Sequence, residues 1–528
     1  MIVAIESWKA GLWKWENITR NLFSGIVVGV ISLPLSMAFA IASGVAPEVG
    51  IYTAVVACLC VSLLGGSRYQ IAGPTGAFVP LLLGILREHG LSGLQLATLM
   101  AGIILIIMGF LKFGRLLKYI PTQVLVGFTS GIGTMLFLGQ IRQFFGLHGD
   151  HIAIDYPTTF IGLGCLAVIV LSRFAPYMCH IPAPLLALFA GGILQAIFRF
   201  PSVATIGSEF GGITSSFPSL SLPTGINWDH CVLLLGPAFA IALLGAIESL
   251  LSAVVADGMT GNKHLANQEL IGQGIANILC PLFGGIAATG AIARTAANVR
   301  AGGNSPLSGI VAVGTLLFIL LFCAPLAQSI PLAALAAILF VISYHMFGFS
   351  YFIHLLRHAP VSDVVILLIT YALTVACGLM VAVNVGIVLS ALALMQRMSK
   401  AIHIDRNKSH ESEENMEQLA HLPPTVAVYT VSGPLFFAAM EELEFAISRV
   451  DPEVTTIILR LGEVPFVDTT ALAHLRRIIE TFEAAGQKFI FCEASKDVAH
   501  KLRRVGIEDS LRDKNPQKTL KAAIRYQD

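Results

Sequence analysis

Long apolar segments follow one another with few breaks from about residue 22 to residue 398. Most of them approach the length of about 20 residues that a helix needs to cross the hydrocarbon core of a bilayer. We place them at 22–42, 49–66, 95–111, 122–141, 158–172, 183–199, 231–256, 267–283, 306–323, 331–347, 363–379 and 381–398. Because lipid offers no partner to backbone polar groups, this series predicts a polytopic α-helical membrane protein.

The charged residues are few and unevenly distributed. They make up 12% of the chain, about half the usual share of a soluble protein, and the mean hydropathy is +0.78. A net charge of +1 gives no reason to expect nucleic acid as a partner, and the lipid bilayer is the expected one. The composition changes at about residue 400. We therefore predict a transmembrane transport domain at 1–400, a charged linker at 401–423 and a cytoplasmic domain at 424–528.

Two further segments, 72–86 and 288–302, are shorter and interrupted by glycine or proline. Each follows a Gly-Gly pair and contains a Thr-Gly-Ala triplet, Thr75-Gly76-Ala77 in the first and Thr289-Gly290-Ala291 in the second. Counting them gives about fourteen transmembrane elements in two sets of seven, with the broken segment third in each set. Interrupted segments at corresponding places in two halves are typical of transporter binding sites.

An odd number of spans in each half inverts the second repeat relative to the first. The two half-helices then approach each other near the middle of the membrane. Their first N–H groups have no partner within the helix, and their dipoles are positive at that end. This arrangement favours binding of a small anion.

One acid, Glu248, lies in the middle of the apolar segment 236–258. Gly245, Ser249, Ser252 and Ala256 share its helical face, so this small and polar face is predicted to point into the bundle. A carboxyl group at that depth is costly and marks a functional site by default. It can take up a proton on one side and release it on the other, or hold sodium together with Ser252. A structural hydrogen bond or an ion pair with Arg294 is the alternative.

Arg294 lies about one turn into the second broken segment. Its guanidinium group adds positive charge beside the helix end, and it either attracts the substrate or balances Glu248. Lysine and arginine are concentrated on one side of the predicted spans, whereas the long loop 201–229 on the other side contains neither. The positive-inside rule therefore predicts that both termini are cytoplasmic.

The C-terminal part alternates apolar strands with amphipathic helices, which predicts a small α/β domain. In its stretch "VPFVDTTALAHL", Asp468 or Thr469 is placed to cap a helix. The domain has no pattern of a nucleophile with its base, of a metal cluster or of a phosphate loop. We therefore expect a regulatory or assembly module and not an enzyme.

Several stretches resemble the SulP sulfate-permease family, whose animal members form solute carrier family 26. They are "GIVVGVISLPLSMAFAIASGVAPEVGIYTA", "GGSRYQIAGPTGAF", "LLGAIESLLSAVVADGMTG", "ELIGQGIANI" and "GAIARTAANVRAGG". The tail resembles a STAS domain, with "VDTTALAHL" at its signature loop. Within the family, the chain is most similar to bacterial members associated with C4-dicarboxylate uptake.

The resemblance implies a secondary anion transporter with a seven-plus-seven inverted repeat, an elevator-like motion, a homodimeric assembly and a place in the bacterial inner membrane. It implies a substrate site between the half-helices, lined by Ser36, Met37, Phe39, Thr75, Gly76, Ala77, Gly290 and Ala291. It assigns Glu248 to the coupling position. Since sodium-coupled bicarbonate members carry Asp there, the longer Glu favours protons. No other cofactor is expected.

Other functions stay open at this point. Leu35 replaces a glutamine of eukaryotic members, which weakens a direct sulfate-permease interpretation. Thr469 matches the phosphorylated position of related STAS domains, although Ala471 replaces the usual glycine. Sodium-coupled bicarbonate or sulfate transport, a passive anion channel, a nucleobase permease and a transceptor that signals to a cytoplasmic protein are the alternatives to proton-coupled dicarboxylate uptake.

Overall fold

A computed structural model describes residues 3–115, 121–147, 154–172, 174, 182–220, 228–400, 402–406, 422–437, 440–448 and 453–507. The chain divides into two compact units, residues 1–388 and 389–528. The division falls within the last long helix, twelve residues before the predicted end of the membrane domain at residue 400.

The first repeat contains the first seven predicted spans. Its elements are α1 (Val3–Lys9), α2 (Trp15–Ala42), α3 (Pro47–Leu64), β1 (Ala72–Gly73), α4 (Val79–Phe110), α5 (Thr122–Phe145), α6 (Tyr156–Leu171) and α7 (Ala183–Phe198). A 3-10 turn at Gly76–Phe78 leads into α4, and the backbone of α4 leaves the helical conformation at Gly90. Residues 76–89 are therefore a separate half-helix, followed by the fourth span, as the sequence predicts.

The second repeat follows the same order. Its elements are α8 (Ile206–Phe210), α9 (Trp228–Thr260), α10 (Ala266–Leu282), β2 (Thr289–Gly290), α11 (Ile292–Arg300), α12 (Leu307–Ala327), α13 (Leu332–Phe347), α14 (Phe349–His358), α15 (Val361–Cys377) and α16 (Leu379–Lys400). The short helix α11 is the second half-helix. The helix α14 is absent from the predicted spans. Gly348, which has a left-handed conformation with φ 62°, separates it from α13.

All fourteen predicted membrane segments coincide with helical elements of the structure. Seven helices in the described ranges are long and apolar enough to cross a membrane, and the apolar helices α6, α7 and α15 are shorter. The two repeats pack on each other reciprocally. The first span of each repeat, α2 or α9, lies against the fourth span of the other repeat, α12 or the second part of α4. Neither repeat therefore forms its core alone.

The second unit contains a four-stranded sheet of order β3-β4-β5-β6, in which β3 pairs antiparallel to β4 and the other pairs are parallel. Its elements are β3 (His403–Arg406), β4 (Val426–Ser432), α17 (Met440–Ser448), β5 (Thr456–Glu463), α18 (Thr469–Ala484), β6 (Lys488–Cys492) and α19 (Lys496–Arg504). Apolar side chains of the three helices and of the sheet share one core. The α/β prediction is confirmed, but β3 lies in the predicted linker, where its charged sequence concealed a strand.

Candidate anion-binding site

A short antiparallel strand pair joins the two broken segments. Ala72 is paired with Gly290, and Gly73 with Thr289. The N–H group of Ala291 also donates a hydrogen bond of 2.8 Å to the carbonyl oxygen of Ile71. The first half-helix begins three residues after the end of β1, and the second begins two residues after the end of β2. The structure thus holds the starts of both half-helices beside each other.

Both half-helices begin without a side-chain cap. Thr75 occupies the capping position of the first, but its hydroxyl group is directed elsewhere, and Ala291 at the second has no polar side chain. No described residue accepts from the first N–H groups of either half-helix, those of Gly76 and Ala77 and those of Ile292 and Ala293. Buried backbone donors are almost always paired, so the unpaired N–H groups of the buried Gly76 and Ala77 call for a ligand, and a helix N-terminus is suited to an anionic one.

The two ends differ in how accessible they are. Gly76 and Ala77 are buried, and Phe39, Leu136 and Met346 lie around the position that a Gly76 side chain would occupy. Ile292 is 41% exposed and Ala293 is exposed as well, so the start of α11 is less enclosed by protein than the start of the first half-helix.

The acid on α9 contacts the first half-helix directly. Thr75 Oγ1 donates a hydrogen bond of 2.9 Å to Glu248 Oε2, and Glu248 is only 8% exposed. Among the described residues, no other group donates a hydrogen bond to this carboxyl group. Ser249, Ser252 and Ala256 on the same helical face are fully buried, which confirms that this face points into the protein. Glu248 thus lies close enough to the half-helix start to interact electrostatically with an anion bound there.

A network of buried polar side chains lies beside the second half-helix. The Ser252 hydroxyl is 3.0 Å from both Gln70 Oε1 and Thr295 Oγ1. Gln70 Nε2 donates to the carbonyl oxygen of Ser249 at 2.9 Å, and the Ser249 hydroxyl accepts from the N–H group of Gly290 at 3.1 Å. Ser252 was predicted, but Gln70 and Thr295 were not; their only signal was a polar residue just before the first broken segment and one inside the second.

Arg294 is fully buried and carries two donors without a partner. Its Nη2 donates to the carbonyl oxygen of Pro74 at 2.8 Å, whereas Nε and Nη1 have no hydrogen-bond partner among the described residues. The side chain is 1% exposed. The alternative of an ion pair with Glu248 is wrong, because each group has a different partner. A buried cation with free donors is costly unless an anion completes it.

The three first-span residues take different positions. Phe39 lies against Gly76, as the resemblance implies. The Ser36 hydroxyl is buried and has no hydrogen-bond partner among the described residues. Met37 lines an apolar cleft of ≈ 440 Å³ between α2, α7 and α12, whose lining does not include the half-helix starts.

Gly290→Ala is expected to reduce transport about tenfold or more while the protein still folds. A Cβ at this position would lie 1.6 Å from Gln70 Nε2 and 3.2 Å from Ser249 Cα, so the Gln70 side chain must leave and its hydrogen bonds are lost. A buried polar group left unpaired costs about 1–3 kcal/mol. Gly314→Ala in α12, where nothing lies within 4 Å, is the matched control. Initial uptake rates in proteoliposomes check both variants, and equal rates would contradict the tight packing at Gly290.

In the second unit, Asp468 caps α18. Its Oδ1 accepts from the N–H group of Ala471 at 2.6 Å, and its Oδ2 from that of Phe437 at 3.3 Å. Of the two predicted caps, Asp468 is therefore the one present, while Thr469 is the exposed first residue of the helix. Phosphorylation of Thr469 stays a prediction. No group of three or more potential metal ligands is found among the described residues.

Comparison with known proteins agrees with this architecture. The family model "Sulfate permease family" matches residues 18–370, and the model "STAS domain" matches residues 419–523. "Putative sulfate transporter YvdB" of Bacillus subtilis (strain 168) is 40% identical over 510 residues, which cover 94% of this chain and 95% of that protein. "Bicarbonate transporter BicA" of a Picosynechococcus species is 31% identical over 500 residues, 88% of this chain and 87% of the relative.

A solved structure shares the fold over nearly the whole chain. The murine solute carrier 26 family member A9 anion transporter, in the inward-facing state, superposes with a TM-score of 0.87 at 19% identity, covering 99% of this chain and 94% of that one. The relatives named here are not dicarboxylate transporters by name, so they leave that part of the resemblance unconfirmed. The chain belongs to the sulfate permease (SulP, solute carrier 26) family of anion transporters and carries the STAS domain of that family at its C-terminus.

Proposed function

We propose that the protein is a secondary active transporter that carries a small oxyanion together with a proton. The observation that carries this proposal is the pair of uncapped half-helix starts, held together by β1 and β2, with Glu248 hydrogen-bonded to the first of them. The first N–H groups of each half-helix and two buried donors of Arg294 have no partner among the described residues, which supports an anion as the missing partner. Charge-assisted hydrogen bonds of this kind are the strong ones.

Electrostatics supplies the coupling. An ionised Glu248 next to a bound anion places two like charges in a medium that screens them poorly. Protonation of Glu248 removes this repulsion, and Thr75 still provides a hydroxyl partner for the neutral carboxyl group. The anion and the proton then bind more tightly together than either binds alone, which is the thermodynamic basis of symport.

Sodium is the alternative coupling ion. A sodium site would use Ser252 with Glu248, but the Ser252 hydroxyl is already within hydrogen-bonding distance of Gln70 and Thr295. A proton as the coupling ion is supported by the direct hydrogen bond between Glu248 and Thr75, which links the acid to the first half-helix. For this reason we favour the proton.

The substrate has two candidate classes. The resemblance to bacterial C4-dicarboxylate members suggests succinate or fumarate. Sulfate and bicarbonate, named for the two relatives above, are more compact. Phe39, Leu136 and Met346 crowd the start of the first half-helix, which supports a compact anion over a four-carbon chain.

The setting of the transporter is also part of the proposal. The resemblance and the distribution of basic residues support a homodimer in the bacterial inner membrane with both termini in the cytoplasm. The exposed Thr469 supports a regulatory role for the C-terminal unit, in which a cytoplasmic protein or a kinase acts at the start of α18, the helix that Asp468 caps.

Uptake into proteoliposomes tests the function. Labelled sulfate, bicarbonate, succinate and fumarate are offered separately, with proton and sodium gradients imposed one at a time. We expect saturable accumulation of one compact anion under an inward proton gradient and none under a sodium gradient alone. Accumulation that requires sodium and does not depend on pH would favour a sodium site formed by Glu248 and Ser252. Conductive flux far above carrier rates would favour a channel.

A further inference from the structure

The helix α10 carries three fully buried polar side chains on one face, Glu269, Gln273 and Asn277, spaced four residues apart. We call these three residues the α10 column. Polar side chains at membrane depth are costly, and those that are present are paired or functional. The column extends over about 12 Å, since an α-helix rises 1.5 Å per residue.

The first residue of the column holds the loop that leads to the first half-helix. Glu269 Oε2 accepts from the N–H groups of Gly66 at 2.8 Å and Ser67 at 3.1 Å. Gly66 fits here because it lacks a side chain: a Cβ would lie 2.1 Å from the carbonyl oxygen of Leu265. The glycines that precede the first broken segment thus allow α10 to pack closely against the loop backbone.

The last residue of the column holds the loop that leads to the second half-helix. Asn277 Nδ2 donates to the carbonyl oxygen of Ala288, and Asn277 Oδ1 accepts from its N–H group, both at 2.9 Å. Ala288 directly precedes β2. The side-chain amide of Asn277 therefore pairs with both backbone groups of Ala288, as a neighbouring strand would, just before the chain reaches the site.

The middle residue links the two ends. Gln273 Nε2 donates to Glu269 Oε1 at 3.3 Å, and Asn277 Nδ2 also lies 2.9 Å from the carbonyl oxygen of Gln273. A reciprocal contact comes from the first repeat, where Thr53 Oγ1 on α3 accepts from the N–H group of Ile286. Both loops are thus held by side chains of helices that lie outside the half-helices.

We propose that the α10 column sets the separation of the two half-helix starts, and that Glu269 and Asn277 are positioning residues for anion binding. β1 and β2 pair over only two residues each, which leaves the spacing to the side chains that hold the loops on either side. Because a misplacement of about 1 Å can cost about a hundredfold in a preorganised site, the column acts on affinity. This inference rests on the proposed function of the same site.

Three variants test the column: Asn277→Leu, Glu269→Leu and Glu269→Gln. Asn277→Leu keeps the volume and loses both bonds to Ala288, so we expect the KM for labelled sulfate or bicarbonate to rise about tenfold, with the maximal rate per folded protein within about threefold. Glu269→Leu is expected to act alike, and Glu269→Gln less, because its amide oxygen still accepts from the loop. Thr98→Val is the control, since Thr98 is fully buried on α4 and its hydroxyl donates to the Leu94 carbonyl oxygen of the same helix.

Hydrogen exchange measured by mass spectrometry gives a second readout that does not need transport. Asn277→Leu is expected to speed exchange in peptides covering 284–291 and to leave those covering 64–71 unchanged. Glu269→Leu is expected to speed exchange in peptides covering 64–71 and to leave those covering 284–291 unchanged. An unchanged KM with a maximal rate that falls with the amount of folded protein would overturn the inference, as would unchanged exchange in both loops. Absence of saturable uptake by the unaltered protein would instead refute the proposed function, and the exchange result would then decide on the column alone.

Discussion

Glu248→Gln is expected to abolish accumulation of the anion under a proton gradient. Glutamine has the size of glutamate and can still pair with Thr75, but it neither gains nor loses a proton. The anion then binds without the repulsion that an ionised carboxylate exerts, so exchange of labelled for unlabelled anion should continue. The measurement is uptake into proteoliposomes with and without an imposed pH gradient, alongside counterflow at equal pH on both sides.

Asp363→Asn is the matched control for this variant. Asp363 on α15 is also 8% exposed, and its substitution likewise removes one buried carboxylate from the membrane domain. We expect it to keep gradient-driven accumulation. Full accumulation by Glu248→Gln would refute the coupling role of this residue. Loss of counterflow as well as accumulation would instead indicate that Glu248 is needed to form the site.

Arg294→Met should have the second large effect, a rise of about a hundredfold or more in the KM for the anion. Methionine fills a similar volume but provides no charge and no donors. Each charge-assisted hydrogen bond contributes about 1.5–3 kcal/mol, and Arg294 has two buried donors without a partner among the described residues, which we expect the anion to engage. Arg294→Lys is expected to be intermediate, because it retains the charge without the planar fork. Uptake kinetics and the stabilisation of the protein against heat by added anion both measure the effect.

Arg300→Met provides the comparison on the same half-helix. Arg300 is the exposed last residue of α11, far from its start, so its loss should leave the KM unchanged. If Arg294→Met keeps the affinity of the unaltered protein, the guanidinium group serves only to hold Pro74, and the anion is bound by the helix starts alone.

Much of the fold could be predicted because its signals are local. The length of an apolar segment and a glycine or proline inside it are visible within about 20 residues, and so all fourteen segments were found. The inward face of α9 followed from helical spacing around Glu248. By contrast, α14 and β3 were missed, because a ten-residue amphipathic helix and a charged four-residue strand carry no comparable signal.

The site was predictable only in part. The repeated triplet indicated that the two half-helices meet, but it did not indicate which side chains pair with which backbone groups. Glu248 pairs with Thr75 and Arg294 with Pro74, contacts between residues more than 170 positions apart. Gln70 likewise bonds to the backbone of Ser249 in α9, and Glu269 to that of the distant Gly66, whereas the partner of Asn277, Ala288, lies only 11 positions away. Such contacts depend on tertiary placement, which one sequence does not reveal.

The pairing of β1 with β2 has a consequence for how the chain is made. Residues 72–73 leave the ribosome long before residues 289–290, so during synthesis the first broken segment enters the membrane without its strand partner. Unpaired peptide groups are poorly tolerated in lipid. The first broken segment must therefore be shielded from lipid, by the translocon or by water, until the second broken segment has been synthesised and the two strands can pair.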